Sequence, residues 1–238
     1  MSGDTGLGED WKRLLHDLDA IVEIYEKGNN LMSFGRDVSL RKEILQRGMP
    51  ESGLFLDVGS GPGNMSAMAK DLRPDTEGVM MDPLPSMLRR AMIERGEKSF
   101  MYVCGIYEAL PFRSGSFVAC LAGFTIRDAI DRIKAYQDIH RVLKDNGVFL
   151  IIDLAKPDSA VKRFFVGTYW RLLAPLMLSL YLGSKARHFA DIYITYKHLP
   201  RNRVFIEQLE KAFRKVWYET KMVDGVIMVK ACKDESQC

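Results

Sequence analysis

The stretch Leu54-Phe55-Leu56-Asp57-Val58-Gly59-Ser60-Gly61-Pro62-Gly63 sets the interpretation of the rest of the chain. Its first half is an apolar run typical of a buried strand, and the helical pattern of Asn64 to Leu72 follows its last glycine. Glycine at alternate positions lets backbone amides approach a ligand closely, because no side chain stands in the way. The stretch therefore predicts a strand, a ligand-binding turn and a helix.

Downstream of this turn, short apolar runs alternate with longer helical patterns. The predicted strands are Leu54 to Val58, Gly78 to Met81, Phe100 to Val103, Phe117 to Ala122 and Val148 to Ile152. The predicted helices between them are Asn64 to Leu72, Met87 to Arg95 and Ile130 to Leu143. Strands joined by crossover helices form a parallel sheet. We therefore predict a doubly wound α/β fold with its ligand at the carboxyl ends of the strands.

Both ends of the chain depart from this alternation. Towards the C-terminus, strand-like runs at Lys215 to Thr220 and Val226 to Cys232 flank Asp224-Gly225, a dipeptide that tolerates positive φ angles and predicts an antiparallel hairpin. Towards the N-terminus, the apolar spacing of Trp11 to Tyr25 predicts an amphipathic helix that Gly28-Asn29-Asn30 breaks.

These patterns divide the chain into two parts. A further predicted helix, Val38 to Arg47, precedes the glycine turn. We expect residues 1–48 to form an N-terminal helical lid and residues 49–238 to form the ligand-binding domain. That domain carries an aromatic-rich insertion at about residues 156–202, which we expect to form a helical cap.

Composition indicates a soluble protein. The chain has 238 residues, of which 47% are hydrophobic and 27% are charged, and a formal net charge of +3 is too small to indicate nucleic-acid binding. The four cysteines form no C-x-x-C pair, which favours a reducing, cytoplasmic compartment and implies no metal site. Two of them lie in strand-like runs, where we expect them to pack as thiols. The apolar stretch Phe164 to Leu182 contains Arg171, which favours a surface or cap element over a membrane span.

The glycine turn favours one cofactor over another. A dinucleotide fingerprint needs glycine or alanine at position 64, where Asn64 stands. The carboxylate of Asp57 would repel a pyrophosphate but attract the cationic amino and sulfonium groups of S-adenosylmethionine. Asp82 ends the second strand, where an acid can accept hydrogen bonds from ribose hydroxyls. We therefore predict S-adenosylmethionine as the cofactor; the alternative is a purely structural turn.

Four segments resemble the signature motifs of one family. They are Tyr25-Glu26-Lys27-Gly28-Asn29-Asn30-Leu31-Met32-Ser33-Phe34-Gly35, Glu108-Ala109-Leu110-Pro111-Phe112, Gly123-Phe124-Thr125-Ile126-Arg127-Asp128 and Arg141-Val142-Leu143-Lys144-Asp145-Asn146-Gly147. On these segments the chain resembles class I methyltransferases, and most closely the ubiquinone/menaquinone biosynthesis C-methyltransferase family, from about Tyr25 to Lys230. The resemblance implies a seven-stranded Rossmann-like sheet with an antiparallel last strand, and an enzyme that methylates a ring carbon of a prenylated quinol.

The turn and the resemblance together give a predicted cofactor site. Its residues are Asp57, Gly59, Ser60, Gly61, Gly63, Asp82, Pro83, Ile106, Tyr107 and Gly123. Ile106, Gly123 and Asp128 depart from the family pattern, the first two in the adenine contacts and the third in the acceptor site. Backbone amides at Ile106 and Tyr107 could still serve the adenine.

Three residues are the candidates for catalysis. A ring carbon becomes nucleophilic when a ring hydroxyl is deprotonated to a phenolate. Arg127 is the candidate that stabilises this phenolate, and Asp128 is the candidate base. Tyr25 is the candidate donor to the substrate oxygen. Each has a structural alternative: Arg127 could pair with Asp128 or Asp131, Asp128 could cap a helix, and Tyr25 could be a core aromatic residue.

The insertion suits an apolar acceptor. Its aromatic and aliphatic residues either complete the core as a packed cap or line a channel for a polyprenyl tail. The cations around it could meet anionic lipid headgroups, which makes peripheral membrane association a hypothesis. These cations are Lys162, Arg163, Arg171, Lys185 and Arg187.

Other partners and functions stay open at this point. We expect no nucleic-acid partner, and a homodimer is open. Methylation of another lipid or small molecule is the main alternative function, and a cofactor-binding module that works through a partner is a second.

Overall fold

One mixed β-sheet lies at the centre of the computed structural model, which describes residues 6–189 and 191–234. Within these residues seven strands occur in the order β3-β2-β1-β4-β5-β7-β6. Their bounds are β1 Gly53–Val58, β2 Thr76–Asp82, β3 Met101–Cys104, β4 Phe117–Gly123, β5 Leu143–Leu154, β6 Lys215–Lys221 and β7 Val226–Cys232. Strands β1 to β5 are parallel, and β7 pairs antiparallel with both β5 and β6. The predicted fold class is confirmed.

The central strands are buried on both faces, as expected of parallel strands covered by helices. Phe55 and Leu56, which point to opposite faces of β1, are both inaccessible to solvent, and they belong to two separate apolar clusters on the two sides of the sheet. The five strands predicted from apolar runs are all present. The sheet thus places the carboxyl ends of β1, β2, β4 and β5 side by side.

Helices lie on both sides of the sheet and form the insertion. Their bounds are α1 Trp11–Ala20, α2 Tyr25–Met32, α3 Asp37–Gly48, α4 Asn64–Leu72, α5 Pro85–Arg95, α6 Arg132–Val142, α7 Ala160–Thr168, α8 Ala174–Leu182, α9 Asp191–His198 and α10 Asn202–Glu210. A π-helical stretch, Tyr169–Leu173, joins α7 to α8. The predicted outer limits of the two domains, residues 1 and 238, lie outside the described residues.

The predicted break at Gly28 is wrong. Helix α1 already ends at Ala20, and Gly28, Asn29 and Asn30 lie inside α2. A Cβ atom on Gly28 would approach the ring of Phe189 to 2.3 Å. Glycine is needed there because two segments pack closely, and its helix-breaking tendency is overridden by that tertiary contact.

The predicted C-terminal hairpin is present, but its turn differs in detail. Met222, Val223 and Asp224 have φ angles of 51°, 60° and 61°, whereas Gly225 is not among the residues with positive φ. The left-handed conformation therefore falls on side chains that adopt it reluctantly, Val223 above all. The turn is tied to α7 by an ion pair of 2.8 Å between Lys162 Nζ and Asp224 Oδ2.

A third apolar cluster joins the N-terminal helices to the insertion. Ile21 and Met32 pack there with Trp170, Leu178 and Phe189. Elsewhere, Cys120 is a buried free thiol in β4. The expectation that two strand cysteines are packed thiols is wrong for Cys232, which is disulfide-bonded.

Candidate active site

The glycine turn after β1 has the backbone conformation that its sequence requires. Gly59, Gly61 and Gly63 have φ angles of 67°, 53° and 80°. A Cβ atom on Gly59 would lie 2.0 Å from Oγ1 of Thr125, so the turn is pressed against the segment that follows β4. The turn therefore exposes backbone where a side chain would collide or block access.

Asp82 stands at the carboxyl end of β2, beside this turn. Its Oδ2 accepts a hydrogen bond of 2.9 Å from the amide of Gly61, and its Oδ1 accepts one of 2.9 Å from the amide of Leu84. Burial raises the pKa of Asp82 to about 6, against the lowering effect of these two amides. The two amides fix the carboxylate and leave lone pairs on both oxygens for a ligand.

Asp57 lies near the end of β1 and is bonded to the start of α4. Its Oδ2 accepts hydrogen bonds from the amide and the hydroxyl of Ser66, at 3.0 and 2.6 Å, and the residue is buried behind the turn. Burial raises the pKa of Asp57 to about 6, although the bonds from Ser66 lower it. The carboxylate of Asp57 thus lies at the start of α4 and holds this helix next to the glycine turn.

A small cavity of about 50 Å³ adjoins the turn, and we call it the turn cavity. The predicted cofactor residues that line it are Gly59, Gly61, Asp82, Pro83, Ile106 and Tyr107. Asp57, Ser60, Gly63 and Gly123 are not among its lining residues. Apolar side chains of α1, such as Trp11 and Leu14, form its roof. Ligand pockets usually measure about 300–1,000 Å³, so with α1 in this position the cavity is too small for a nucleoside-sized ligand.

Tyr107 is fixed by its hydroxyl. The hydroxyl donates a hydrogen bond of 2.5 Å to the carbonyl of Val58 and lies 3.2 Å from Oγ1 of Thr125. Burial raises the pKa of Tyr107 well above its usual value, which keeps the hydroxyl protonated. The side chain is therefore bonded to the turn through Val58, and the residue lines the turn cavity.

Arg127 is buried and held by two acids. Its Nη1 donates a hydrogen bond of 2.7 Å to Asp153 Oδ1, and its backbone amide donates one of 2.9 Å to Asp153 Oδ2. Its Nε lies 3.4 Å from Oδ1 of Asp128. Burial disfavours the charge, but the two carboxylates outweigh burial and raise the pKa of Arg127. The guanidinium is a permanent, oriented cation.

Asp128 is a buried carboxylate that does not cap a helix. The N-cap of α6 is Asp131, whose Oδ1 accepts the amide of Ile133 at 3.0 Å, so the capping alternative for Asp128 is wrong. Burial raises the pKa of Asp128 to about 7, with Arg127 lowering it and Asp153 raising it. Its Oδ1 accepts no hydrogen bond from the described residues. Such a group can take up or release a proton near neutral pH.

Tyr25 begins α2 and extends over the glycine turn. A Cβ atom on Gly61 would lie 3.9 Å from its Cε1. Burial raises the pKa of Tyr25, while the charge of Arg127 and a hydrogen bond with Asn29 lower it. Its hydroxyl therefore stays protonated and can donate a hydrogen bond beside the charges of Arg127 and Asp128.

A second, larger cavity lies on the other side of Arg127. It measures about 380 Å³, and we call it the apolar cavity. Its walls include Phe34, Phe124, Phe165, Trp170 and Val223.

A third, small cavity lies between these two. It is lined by Tyr25, Arg127 and Asp128. It shares Tyr25 and Asp128 with the turn cavity and Arg127 with the apolar cavity. The three catalytic candidates therefore occupy the junction between the turn cavity and the apolar cavity.

Comparison with known proteins identifies the enzyme class. The profile of the ubiE/COQ5 methyltransferase family matches residues 9–233. The chain belongs to this family. It is therefore an S-adenosylmethionine-dependent methyltransferase, in agreement with its fold.

Individual relatives of this ubiE/COQ5 methyltransferase agree with that assignment. A demethylmenaquinone methyltransferase of Roseiflexus castenholzii is 30% identical over 187 residues, which are 78% of this chain and 75% of the relative. A mitochondrial 2-methoxy-6-polyprenyl-1,4-benzoquinol methylase of Oryza sativa subsp. japonica is 25% identical, across 93% of this chain and 83% of the relative. A solved S-adenosylmethionine-dependent methyltransferase of Thermotoga maritima, a possible histamine N-methyltransferase, has a TM-score of 0.62 at 17% identity, covering 93% of this chain and all of that one.

Two residues that contact the candidate site were missed by sequence reasoning. Asp153 ends the apolar run of β5 and is fully buried, so its position after a predicted strand was the available signal. Arg41 lies in α3, donates to the carbonyl of Gly123 at 3.1 Å and stacks 4.9 Å from the ring centre of Phe124. A Cβ atom on Gly123 would reach Arg41 Nη1 at 2.2 Å, so this glycine makes room for the arginine.

Two histidines of the methyltransferase tie its N-terminal segment to the insertion. His188 Nδ1 lies 2.7 Å from Asp17 Oδ1, and His198 Nε2 lies 3.1 Å from Asp10 Oδ2. Among the described residues, no group of three or more His, Cys, Asp or Glu side chains is arranged to hold a metal ion. The histidines therefore fasten the roof of the turn cavity.

Proposed function

We propose that this chain binds S-adenosylmethionine in the turn cavity and transfers its methyl group to a ring carbon of a prenylated quinol held in the apolar cavity. The observation that carries the proposal is the location of Arg127 and Asp128 between the two cavities. An acceptor that enters from the apolar side would meet a fixed cation and a carboxylate beside the cofactor site. Such placement of both reactants contributes most of the rate, about 7–11 kcal/mol at best.

The residues of the turn cavity fit this cofactor. The proposed contact to the ribose hydroxyls is Asp82, whose oxygens retain lone pairs. Ser60 Oγ is buried without a hydrogen-bond partner among the described residues, which leaves a polar atom at the turn for a ligand. Pro83, Ile106 and Tyr107 would complete the walls, and the charges of Asp57 and Asp82 favour the cationic part of the molecule. When bound, S-adenosylmethionine supplies an electrophilic methyl group.

The junction residues have separate tasks in the proposed reaction. Asp128 accepts the proton of a quinol hydroxyl, since its pKa of about 7 matches that task near neutral pH. Arg127 stabilises the phenolate, and Tyr25 donates to the substrate oxygen. The bound cofactor would supply the methyl group to the ring carbon and leave as a neutral thioether. The proton that the ring carbon then loses would pass to water while Asp128 returns its proton to the ring oxygen, which restores the aromatic quinol. Asp153 keeps the guanidinium pointed at the junction.

The acceptor class is supported by the relatives and by the cavity. Both relatives are named for methyl transfer in quinone chemistry, one to a demethylmenaquinone and one to a polyprenyl benzoquinol. The apolar cavity suits a ring with a hydrocarbon tail, because its walls offer few polar groups. An acceptor without a tail would leave these walls in contact with water.

The N-terminal helices complete the proposal as a lid. We infer that α1 and α2 move to admit the cofactor, because side chains of α1 line the small turn cavity and only two His–Asp side-chain contacts are described between this segment and the insertion. We propose a cytoplasmic enzyme with a peripheral membrane contact, because a prenylated acceptor partitions into a bilayer.

Calorimetry and methyl-transfer assays test the proposal together. The chain should bind S-adenosylmethionine and not NAD, and Asp82→Asn should weaken that binding about 10- to 100-fold by removing charge-assisted hydrogen bonds. Asp75→Asn, an exposed acid just before the same strand, is the matched control and should bind normally. Binding of NAD alone would overturn the cofactor assignment.

Labelled-methyl transfer to demethylmenaquinol and to a demethylated benzoquinol then tests the acceptor. Arg127→Ala should lower kcat about 100- to 1,000-fold with cofactor binding intact. Arg127→Lys should recover only part of the rate, since lysine lacks the planar fork that Asp153 holds. Exposed Arg113→Ala is the control. Turnover that Arg127→Ala leaves unchanged would refute the role of this residue, and no transfer to either quinol would refute the acceptor.

A further inference from the structure

The helix formed by α7, the π-helical stretch and α8 has two apolar faces. Val166, Trp170, Ala174 and Leu178 follow one another at intervals of four residues, and all are buried in the third apolar cluster. Another face carries large apolar side chains that are each at least 56% exposed. They are Phe164, Phe165, Leu172, Leu176, Leu180 and Tyr181, and we call them the exposed apolar face.

This helix is apolar enough to matter to a membrane. Ala160–Leu182 is 23 residues long, and by length and composition alone it could cross a bilayer. Only 17% of its most apolar window is buried inside the protein. Soluble proteins rarely leave contiguous apolar side chains of this size in water without a partner.

The segment that carries the exposed apolar face has charged side chains of one sign. Residues 160–189 contain five lysines and arginines and neither aspartate nor glutamate. Arg171 and Lys185 are exposed within this segment. Apolar side chains bordered by cations suit a bilayer with anionic headgroups, where each cation near the surface contributes about 1 kcal/mol.

The exposed apolar face is continuous with the opening of the apolar cavity. Phe165 belongs to both, and Phe34 and Val223 complete the rim, with exposures of 62%, 62% and 59%. The ring of Phe34 lies 5.7 Å from that of Tyr169 in the π-helical stretch. A hydrocarbon chain can therefore pass from this face into the cavity without crossing a polar surface.

We propose that the exposed apolar face lies on an anionic lipid bilayer, and that the prenyl tail of the acceptor remains in that bilayer while its ring reaches the junction. The helix lies on the membrane instead of crossing it, because its buried face is packed against the N-terminal helices. The docking surface is independent of the acceptor; the statement about the prenyl tail rests on the proposed function.

Sedimentation with lipid vesicles tests the surface. The wild-type chain should pellet with 3:1 phosphatidylcholine–phosphatidylglycerol vesicles and less with pure phosphatidylcholine, and binding should fall as salt rises. Leu176→Ser with Leu180→Ser should weaken binding about 10-fold per residue, since each buried leucine contributes at least that factor. Arg171→Gln should weaken binding about fivefold on the anionic vesicles alone.

The control variant removes an equivalent side chain elsewhere. Ile93 on α5 is 83% exposed, and Ile93→Ser should bind vesicles like the wild type. A wild-type chain that stays in the supernatant, or a double serine variant that pellets normally, would overturn the proposal. A dimer in light scattering that the double serine variant dissociates would assign the face to a second copy and overturn it as well.

Methyl transfer without vesicles separates this inference from the proposed function. The double serine variant should methylate a quinol with a single prenyl unit at the wild-type rate, since neither leucine lines a cavity. It should lose at least 10-fold in rate on a long-tailed quinol carried in vesicles. Vesicle binding without any methyl transfer to quinols would leave the docking surface in place and refute the acceptor.

Discussion

Asp153→Asn removes the charge that orients Arg127 while preserving the size of the side chain. Asp153 is fully buried and accepts three hydrogen bonds: from the amide of Arg127 at 2.9 Å, from its Nη1 at 2.7 Å and from the amide of Leu154 at 2.7 Å. Asparagine keeps one acceptor oxygen, but its NH2 group replaces the second carboxylate oxygen and then faces an N–H donor that this oxygen accepted in the wild type. Arg127 is then left with Asp128 as its only charged partner within the described residues.

The expected loss has a structural and a catalytic part. Breaking a buried ion pair costs about 3–5 kcal/mol, and the remaining acceptor of asparagine reduces this to about 2–3 kcal/mol. For a chain of this length the Tm should fall by about 4–12 °C. The value of kcat/KM should fall about 100-fold, because the guanidinium is no longer held toward the developing phenolate.

The pH profile gives a result that a merely structural role would not produce. The charge of Asp153 raises the pKa of Asp128, so its removal should lower that pKa. Asp128 must be deprotonated to act as a base, and activity is lost as the pH falls through its pKa, about 7 in the wild type. The acidic limb of kcat/KM should therefore move to lower pH in Asp153→Asn.

Labelled-methyl transfer between pH 5 and 9 measures this limb, with Asp145→Asn as the control. Asp145 lies in the same strand, and its side chain is 88% exposed, so neither rate nor limb should change. A folded Asp153→Asn variant whose acidic limb stays in place, or moves to higher pH, would refute the assignment of Asp128 as the base.

Three further predictions concern stability and the membrane. Asp128 has a raised pKa in the folded protein, so its contribution to stability is complete below its unfolded pKa and is lost as the pH rises through about 7. Between pH 8 and pH 6 the free energy of unfolding of the wild type should therefore rise by about 1.4 kcal/mol more than that of Asp128→Asn, as measured by denaturant titration. Gly28→Ala should destabilise the protein by about 1–3 kcal/mol in thermal unfolding, because the added Cβ would collide with the ring of Phe189. The control Gly96→Ala has open space around its Cβ and should leave stability unchanged. Equal Tm values for the two variants would contradict the close packing at Gly28. Val223→Asn should raise the Tm by about 2–4 °C, because asparagine adopts a φ of 60° with less strain than valine. The same variant should weaken vesicle binding. A lower Tm would contradict backbone strain at this position.

The sheet and the cofactor turn could be predicted because their signals are local. Apolar runs separated by helical patterns define parallel strands, and the glycines between Asp57 and Asn64 define the turn. The N-cap of α6 was harder to place, because Asp128 and Asp131 have the same local chemistry. Only the structure shows that Asp131 accepts the amides of Ile133 and Lys134.

The remainder depends on contacts between distant residues. Gly28 is helical because Phe189 packs against it, and Arg41 is buried because Gly123 leaves space for it. The pairing of Arg127 with Asp153 joins the ends of two strands. No local pattern encodes these contacts. Sequence reasoning named Arg127 and its possible pairing with Asp128, but it offered Asp131 as the other acid where the structure has Asp153.

The order of the strands also determines when a newly made chain can become active. Among the described strands β7 is the last in chain order, yet it lies in the interior of the sheet, where Val226 and Ile227 pair with Leu154 and Asp153. Until β7 leaves the ribosome, β5 has an open edge and the acid that supports Arg127 has no neighbouring strand on that side. Synthesis should therefore yield a chain that can bind chaperones through this edge before it can methylate, and activity should appear only after the final strand is inserted.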